Sequence, residues 1–113
     1  MAKKENNKIY IAGPMTGLPN YNFEAFDNAE RILKARGFEP MNPADNGRQW
    51  LIEHAHREPN AGEYQDLLNA GRKMIRECSG IYLLRGWEKS RGAKIELRHA
   101  LNCGLTIELE DER

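Results

Sequence analysis

The sequence predicts an α/β fold, with helices alternating with the strands of a parallel sheet of four or five strands. Three observations lead there. Short apolar runs at 8–12, 81–84 and 105–109 read as strands, and continuous runs of this kind suit strands buried on both faces. Between them, 21–36, 63–77 and 90–102 repeat their apolar residues at helical spacing. The 113 residues suffice for one domain with a modest core and not for two.

The first strand, 8–12, runs into Gly13-Pro14-Met15-Thr16-Gly17-Leu18-Pro19-Asn20, where two glycines and two prolines exclude helix. Its free N–H groups and the Thr16 hydroxyl are able to cradle an anion, as loops before helices often do; a plain loop is the equal alternative. It lacks both the P-loop ending and the G-x-G-x-x-G pattern. The first helix spans 21–36, with Asn20 or Asn22 as cap and Phe23, Phe26, Ala29, Ile32, Leu33 and Ala35 on one stripe. Such a stripe reads as core rather than a base-stacking platform. Gly37 ends the helix, and 38–43 returns as a short strand that Pro40 and Pro43 keep brief or near an edge. Strand, helix and strand then form a right-handed βαβ unit.

Segment 44–62 reads least clearly. Asn46-Gly47 is a turn signal, 48–57 reads as a helix packing Trp50 and Leu51, and 58–62 breaks the chain. The segment is a flap over a site or a polar excursion, the second being preferred. Helix 63–77 carries Leu67, Leu68, Met74, Ile75 and then Cys78; Ser79-Gly80 stops it before the third strand at 81–84. After a turn at 85–88, helix 90–102 ends at Gly104, and 105–109 is the fourth strand. Residues 1–7 form a polar, frayed tail, 8–109 a single domain, and 110–113 an acidic tail.

Composition narrows the function classes. The charges balance to zero with no basic run beyond Lys3-Lys4, which argues against polymeric nucleic acid as a partner. No apolar stretch approaches the roughly 20 residues that span a bilayer, and no signal-peptide core is visible, so a soluble cytoplasmic protein without membrane partners is expected. Cys78 and Cys103 are expected to be reduced thiols. His54 and His56 are two apart and do not share a helix face, so no metal site is expected, nor any cofactor.

The chemistry concentrates in Ser90-Arg91-Gly92-Ala93-Lys94-Ile95-Glu96-Leu97-Arg98-His99-Ala100. In open α/β sheets, ligands bind beyond the carboxyl ends of the strands, at the loops leading into helices. Glu96 falls about two turns into the helix that follows the third strand. Gly92 and Ala93 leave room for a ligand or a neighbouring strand to approach the backbone. Alone, Glu96 reads as one more solvated glutamate.

The pair I-Y-I-A-G-P-M-T-G and I-Y-L-L-R-G-W-E-K-S-R-G-A-K-I-E-L-R-H-A resembles the nucleoside 2-deoxyribosyltransferase-like superfamily over roughly 8–107. Within it, the likeness is greatest to a small, often phage-encoded family without assigned function, which would place the protein in a host cytoplasm. The resemblance implies a flavodoxin-like, Rossmann-like three-layer sandwich. It implies that Glu96 attacks the anomeric carbon of a deoxyribose and that Tyr10 hydrogen-bonds this carboxylate. The chemistry is coherent, since a carboxylate captures an oxocarbenium-like centre as a covalent intermediate, which a second base or water resolves. The residues around the two motifs that it implies for substrate are Gly13, Pro14, Met15, Thr16, Gly17, Phe23, Gly86, Trp87, Ser90, Gly92 and Ala93. Relatives acting on free nucleosides carry aspartate six residues before the glutamate, and 5'-monophosphate N-hydrolases carry serine. Ser90 therefore implies a phosphorylated ligand, with Arg85 or Arg91 as an added cation.

Two departures accompany the likeness. Relatives place an aspartate 24 to 26 residues before the glutamate to protonate the departing base, whereas this window reads Ala70-Gly71-Arg72. Asp66 lies a turn away, and Ser79 stands where near relatives tend to carry aspartate. A glycosidic enzyme acting on a nucleotide 5'-monophosphate is therefore weighed against a non-catalytic nucleotide-binding module, a sensor or sequestering protein, and a purely structural domain. The resemblance also implies a homodimer or higher homo-oligomer, with Trp50 and Trp87 as interface or base-stacking residues or simply part-buried.

Overall fold

A computed structural model describes residues 6–110. Among them, four parallel strands form one sheet in the order β2-β1-β3-β4. These are β1 (Lys8–Ala12), β2 (Glu39–Met41), β3 (Gly80–Leu83) and β4 (Thr106–Leu109). The helices are α1 (Phe23–Ala35), α2 (Ala44–Glu53), α3 (Ala61–Arg76) and α4 (Arg91–Asn102). From β1 the chain steps one way to β2 through α1, and from β3 the opposite way to β4 through α4. With crossovers of one hand, opposite steps put the helices on opposite faces, which yields the three-layer sandwich.

The strand alternation divides the core accordingly. Ile11, Tyr82 and Leu84 meet Phe23, Phe26, Ala29 and Leu33 of α1 on one face. Tyr10, Ala12, Ile81 and Leu83 meet Ile75, Cys78, Ala100 and Leu105 on the other, beneath α3 and α4. Ile32 and Ala35, placed on the α1 stripe by spacing, are exposed, because the helix touches the sheet along a narrower line. β2 is shorter than the expected 38–43 and lies at an edge, as Pro40 requires. Its Glu39 N–H reaches inward to the Asn7 carbonyl, and Ile9 faces Pro40 in the register.

Several helix boundaries differ from the sequence reading. α1 begins at Phe23, not residue 21, because Asn20, Tyr21 and Asn22 all hold positive φ. Neither asparagine caps it by side chain; the Asn22 amide instead donates to the Pro14 carbonyl. α2 starts four residues earlier than expected and runs through Asn46-Gly47. Buried Asn42 explains the early start: its side-chain oxygen accepts from the Ala44 N–H, while its amide donates to Asp27 and Glu30. Gly47 is small enough to pass the Phe23 ring. α3 starts at Ala61 on a capping box, in which Asn60 accepts from the Glu63 N–H and Glu63 accepts from the Asn60 N–H. Such a cap contributes about 1 kcal/mol.

Residues 1–5 of the expected polar tail and 111–113 of the acidic tail lie outside the described residues. Asn6 and Asn7 are tied down, donating to the carbonyls of Glu77 and Gly37, and Glu110 continues bonding to Leu83. Both cysteines are free thiols, Cys78 buried and Cys103 exposed. No helix among the described residues is long and apolar enough to cross a membrane.

Candidate active site

The strand order reverses direction between β1 and β3, and that is where crevices open in such sheets. A cavity of about 650 Å³ lies there, beyond the carboxyl ends of the two strands. Its volume is within the range of small-molecule sites. The β1–α1 loop, α2, the α2–α3 loop, α3 and the start of α4 all line it.

At its floor, the Tyr10 hydroxyl donates to Glu96 Oε2 at 2.8 Å, joining residues 86 positions apart. Tyr10 is fully buried in β1, and Glu96 projects from the second turn of α4. Glu96 keeps some of its surface open to the cavity, yet protein encloses the carboxyl closely enough that desolvation dominates. Its pKa is pushed up to about 7 by that desolvation, against the Tyr10 hydrogen bond and the charge of Arg72. Burial and the adjacent carboxylate hold the Tyr10 phenol well above its usual range, so it remains a donor.

Two glycines make this packing possible. A Cβ at Gly71 of α3 would lie 2.6 Å from the Tyr10 hydroxyl and 2.8 Å from Glu96 Oε2. A Cβ at Gly92 would lie 2.6 Å from the Tyr64 hydroxyl. α3 thus brings Tyr64, Leu68 and Gly71 along one face toward Gly92, Ala93 and Glu96 of α4.

Of the residues singled out by resemblance, Tyr10, Gly13, Pro14, Met15, Thr16, Phe23, Ser90, Gly92, Ala93 and Glu96 come together around the cavity. Three do not. Gly17 has positive φ with nothing within 4 Å of a side chain there, Gly86 turns the chain against Pro14, and Trp87 packs, partly buried, against the core cluster under α3 and α4. Phe23 and Phe26 are core residues whose edges reach the cavity. Arg91 lines the cavity and Arg85 does not; the Arg85 N–H is bonded by Glu110. Ser90 caps α4, its oxygen accepting from the Ala93 N–H at 3.1 Å while its own hydrogen remains available to a ligand.

Sequence reasoning missed Tyr21, Tyr64, Asn46, Glu58 and Lys89 as lining residues. It also preferred a polar excursion for 44–62, whereas Trp50, Leu51 and Glu58 through Ala61 build one wall. The i, i+4, i+7 run Tyr64, Leu68, Gly71 was the available signal for Tyr64. No carboxyl group lines the cavity from 70–72, and Asp66 does not reach it; among the described residues the acid that lines it besides Glu96 is Glu58.

The Tyr10 bond carries a direct expectation. In Tyr10→Phe, Glu96 loses a hydrogen bond that favours its ionised form, so its titration midpoint rises by about one unit for a bond of about 1–1.5 kcal/mol. Carbon NMR of the Glu96 carboxyl measures this; a midpoint unchanged or lowered would refute the coupling.

Residues 7–109 match the protein family described as "Domain of unknown function (DUF4406)". Among solved structures, a 2-desoxiribosyltransferase from Leishmania mexicana matches with a TM-score of 0.64 at 25% identity. The match covers 91% of this chain and 63% of that one, so the chain spans less than two thirds of that enzyme's length. No curated protein matches the chain by sequence.

Proposed function

The chain belongs to the DUF4406 family and is related at superfamily level to a 2-deoxyribosyltransferase, and on that premise we propose that it cleaves or transfers the N-glycosidic bond of a (deoxy)nucleotide. The observation that carries this reading is the Tyr10–Glu96 pair, 2.8 Å apart, at the floor of a cavity at the β1/β3 crevice. In its carboxylate form Glu96 attacks the anomeric carbon as the bond to the base nitrogen breaks. The bonding pair leaves with the base, which takes a proton from a cavity donor or water. A water or a second base then attacks the same carbon and frees Glu96. Tyr10 holds the carboxylate in place and steadies its charge as nucleophile and leaving group.

The cavity supports the rest of the substrate. Tyr21, Phe23 and Tyr64 offer aromatic surface to a base. At the other end, the Ser90 hydroxyl, the first N–H groups of α4 and the cations of Lys89 and Arg91 favour a 5'-phosphate over an uncharged hydroxyl. Gly71 favours a second reading, a nucleotide-binding module without turnover, since its tight seat leaves no space for the acid that relatives place in this window. A homo-oligomer is part of both readings, supported by the exposed apolar side chains of Ile107 and Leu109 on β4.

The decisive experiment incubates the protein with each deoxynucleoside and its 5'-monophosphate and follows free base by chromatography. Base release from a monophosphate is the expected result. Thermal stabilisation by a monophosphate without release supports the binding module. Neither response overturns both.

A further inference from the structure

Outside the cavity, one surface fails to balance its charge. The chain has 17 basic and 17 acidic residues, yet a shallow, open groove of about 710 Å³ beside α4 is lined by Arg72, Arg91, Lys94 and Arg98, with no carboxylate among the described residues that line it. Ile95, His99 and Asn102 complete it. Arg91, Lys94 and Arg98 follow one another at spacings of three and four, so like charges are neighbours on one helix face, each adjacency costing a few tenths of a kcal/mol. Arg91 also stands in the first turn, where the helix end disfavours a cation; α1, α2 and α3 each carry an acid there and α4 carries none. Among the described residues, none of these α4 cations forms an ion pair, while Arg36, Arg48 and Arg57 each do. Arg72 donates to the neutral Asn69, and its charge is shared with the Glu96 carboxyl behind it.

The groove is not isolated. Arg91 lines both it and the cavity, so the two meet at the first turn of α4, where the reading above seats a 5'-phosphate. We infer that the α3–α4 groove binds a condensed phosphate chain, the outer phosphates of a nucleoside di- or triphosphate whose first phosphate lies at Ser90 and Arg91. This rests on the proposed nucleotide site and extends its substrate class from monophosphates to polyphosphates. Four cations in one groove offset the closely spaced charges of such a chain, whereas of these four a monophosphate reaches only Arg91.

Calorimetric titration in Glu96→Gln protein keeps binding separate from turnover. The probes are a deoxynucleoside monophosphate, the matching triphosphate and inorganic tripolyphosphate, with magnesium absent. The triphosphate is expected to bind at least about 10-fold tighter than the monophosphate, with the stronger salt dependence that more ionic contacts impose. Lys94→Glu combined with Arg98→Glu removes that preference and leaves monophosphate affinity unchanged. Tripolyphosphate that competes with the triphosphate but not with the monophosphate supports the groove and assigns the recognition to the phosphate chain alone. Equal affinity for mono- and triphosphate, or a preference that survives the double variant, overturns the inference. Triphosphate binding lost in the double variant, in a protein whose wild type releases no base, keeps the groove and rejects only the reaction.

Discussion

Glu96→Gln is expected to abolish base release, by on the order of 10³-fold or more, as loss of a covalent nucleophile does. The amide keeps the shape and an oxygen that accepts from Tyr10, so the fold persists. The same substitution is expected to stabilise the protein at alkaline pH. In the folded chain the Glu96 carboxyl titrates at about 7, and in an unfolded chain near the ordinary value of about 4.3. The folded state therefore binds the proton more tightly, and stability falls as pH rises between those values. Above about pH 7 the full penalty applies, up to about 4 kcal/mol, and below about pH 4 it vanishes. Urea unfolding of the two proteins at pH 4 and pH 8 reads the difference, with the variant more stable at pH 8 only. An equal difference at both pH values would show that the carboxyl is not desolvated. Persistent base release would remove Glu96 from the mechanism.

Gly71→Ala is the second large effect. A methyl group on a helix interior ordinarily gains about 1 kcal/mol over glycine. Here it would stand 2.6 Å from the Tyr10 hydroxyl and 2.8 Å from Glu96 Oε2. The Tyr10 ring is buried and has nowhere to move, so the 2.8 Å bond between the two must open. Overpacking of this kind costs about 1–3 kcal/mol, which outweighs the helical gain. Misplacing a reacting carboxylate by a fraction of an ångström to an ångström lowers turnover by on the order of 10²-fold. A lower melting temperature with reduced kcat is the expected outcome. A variant with unchanged melting and turnover would show that the seat is looser than these distances.

The sequence revealed the sheet because three of its four strands are short apolar runs with a glycine close to one end, Gly13, Gly80 and Gly104, and local composition suffices for that. Ser90 was legible as a helix start for the same reason. The start of α2 was not: Asn46-Gly47 is a turn signal in isolation, and the Asn42 hydrogen bonds, which tie the residue after β2 to α1 and to the first turn of α2, draw those residues into the helix. That 44–62 walls the cavity was missed because its polar composition favours an excursion into solvent. The Tyr10–Glu96 contact had no local trace, since 86 positions separate the partners; the resemblance, not the spacing, brought them together. Trp87 was left open between stacking, interface and partial burial because a tryptophan beside a ligand loop looks alike whether it faces the cavity or the core; it packs against the core.

The edge strand β2 has a consequence for growth between molecules. Its Glu39 N–H points inward to the Asn7 carbonyl, so by alternation the next nitrogen faces outward. That nitrogen belongs to Pro40 and has no hydrogen to give. An incoming strand finds no donor at that position, and this side of the sheet does not template further pairing. β4 still presents an open edge, so two molecules have the means to join there, back to back. Fibre extension by strand addition requires two adhesive edges per molecule, and with one of them blunted such assembly stops at a pair.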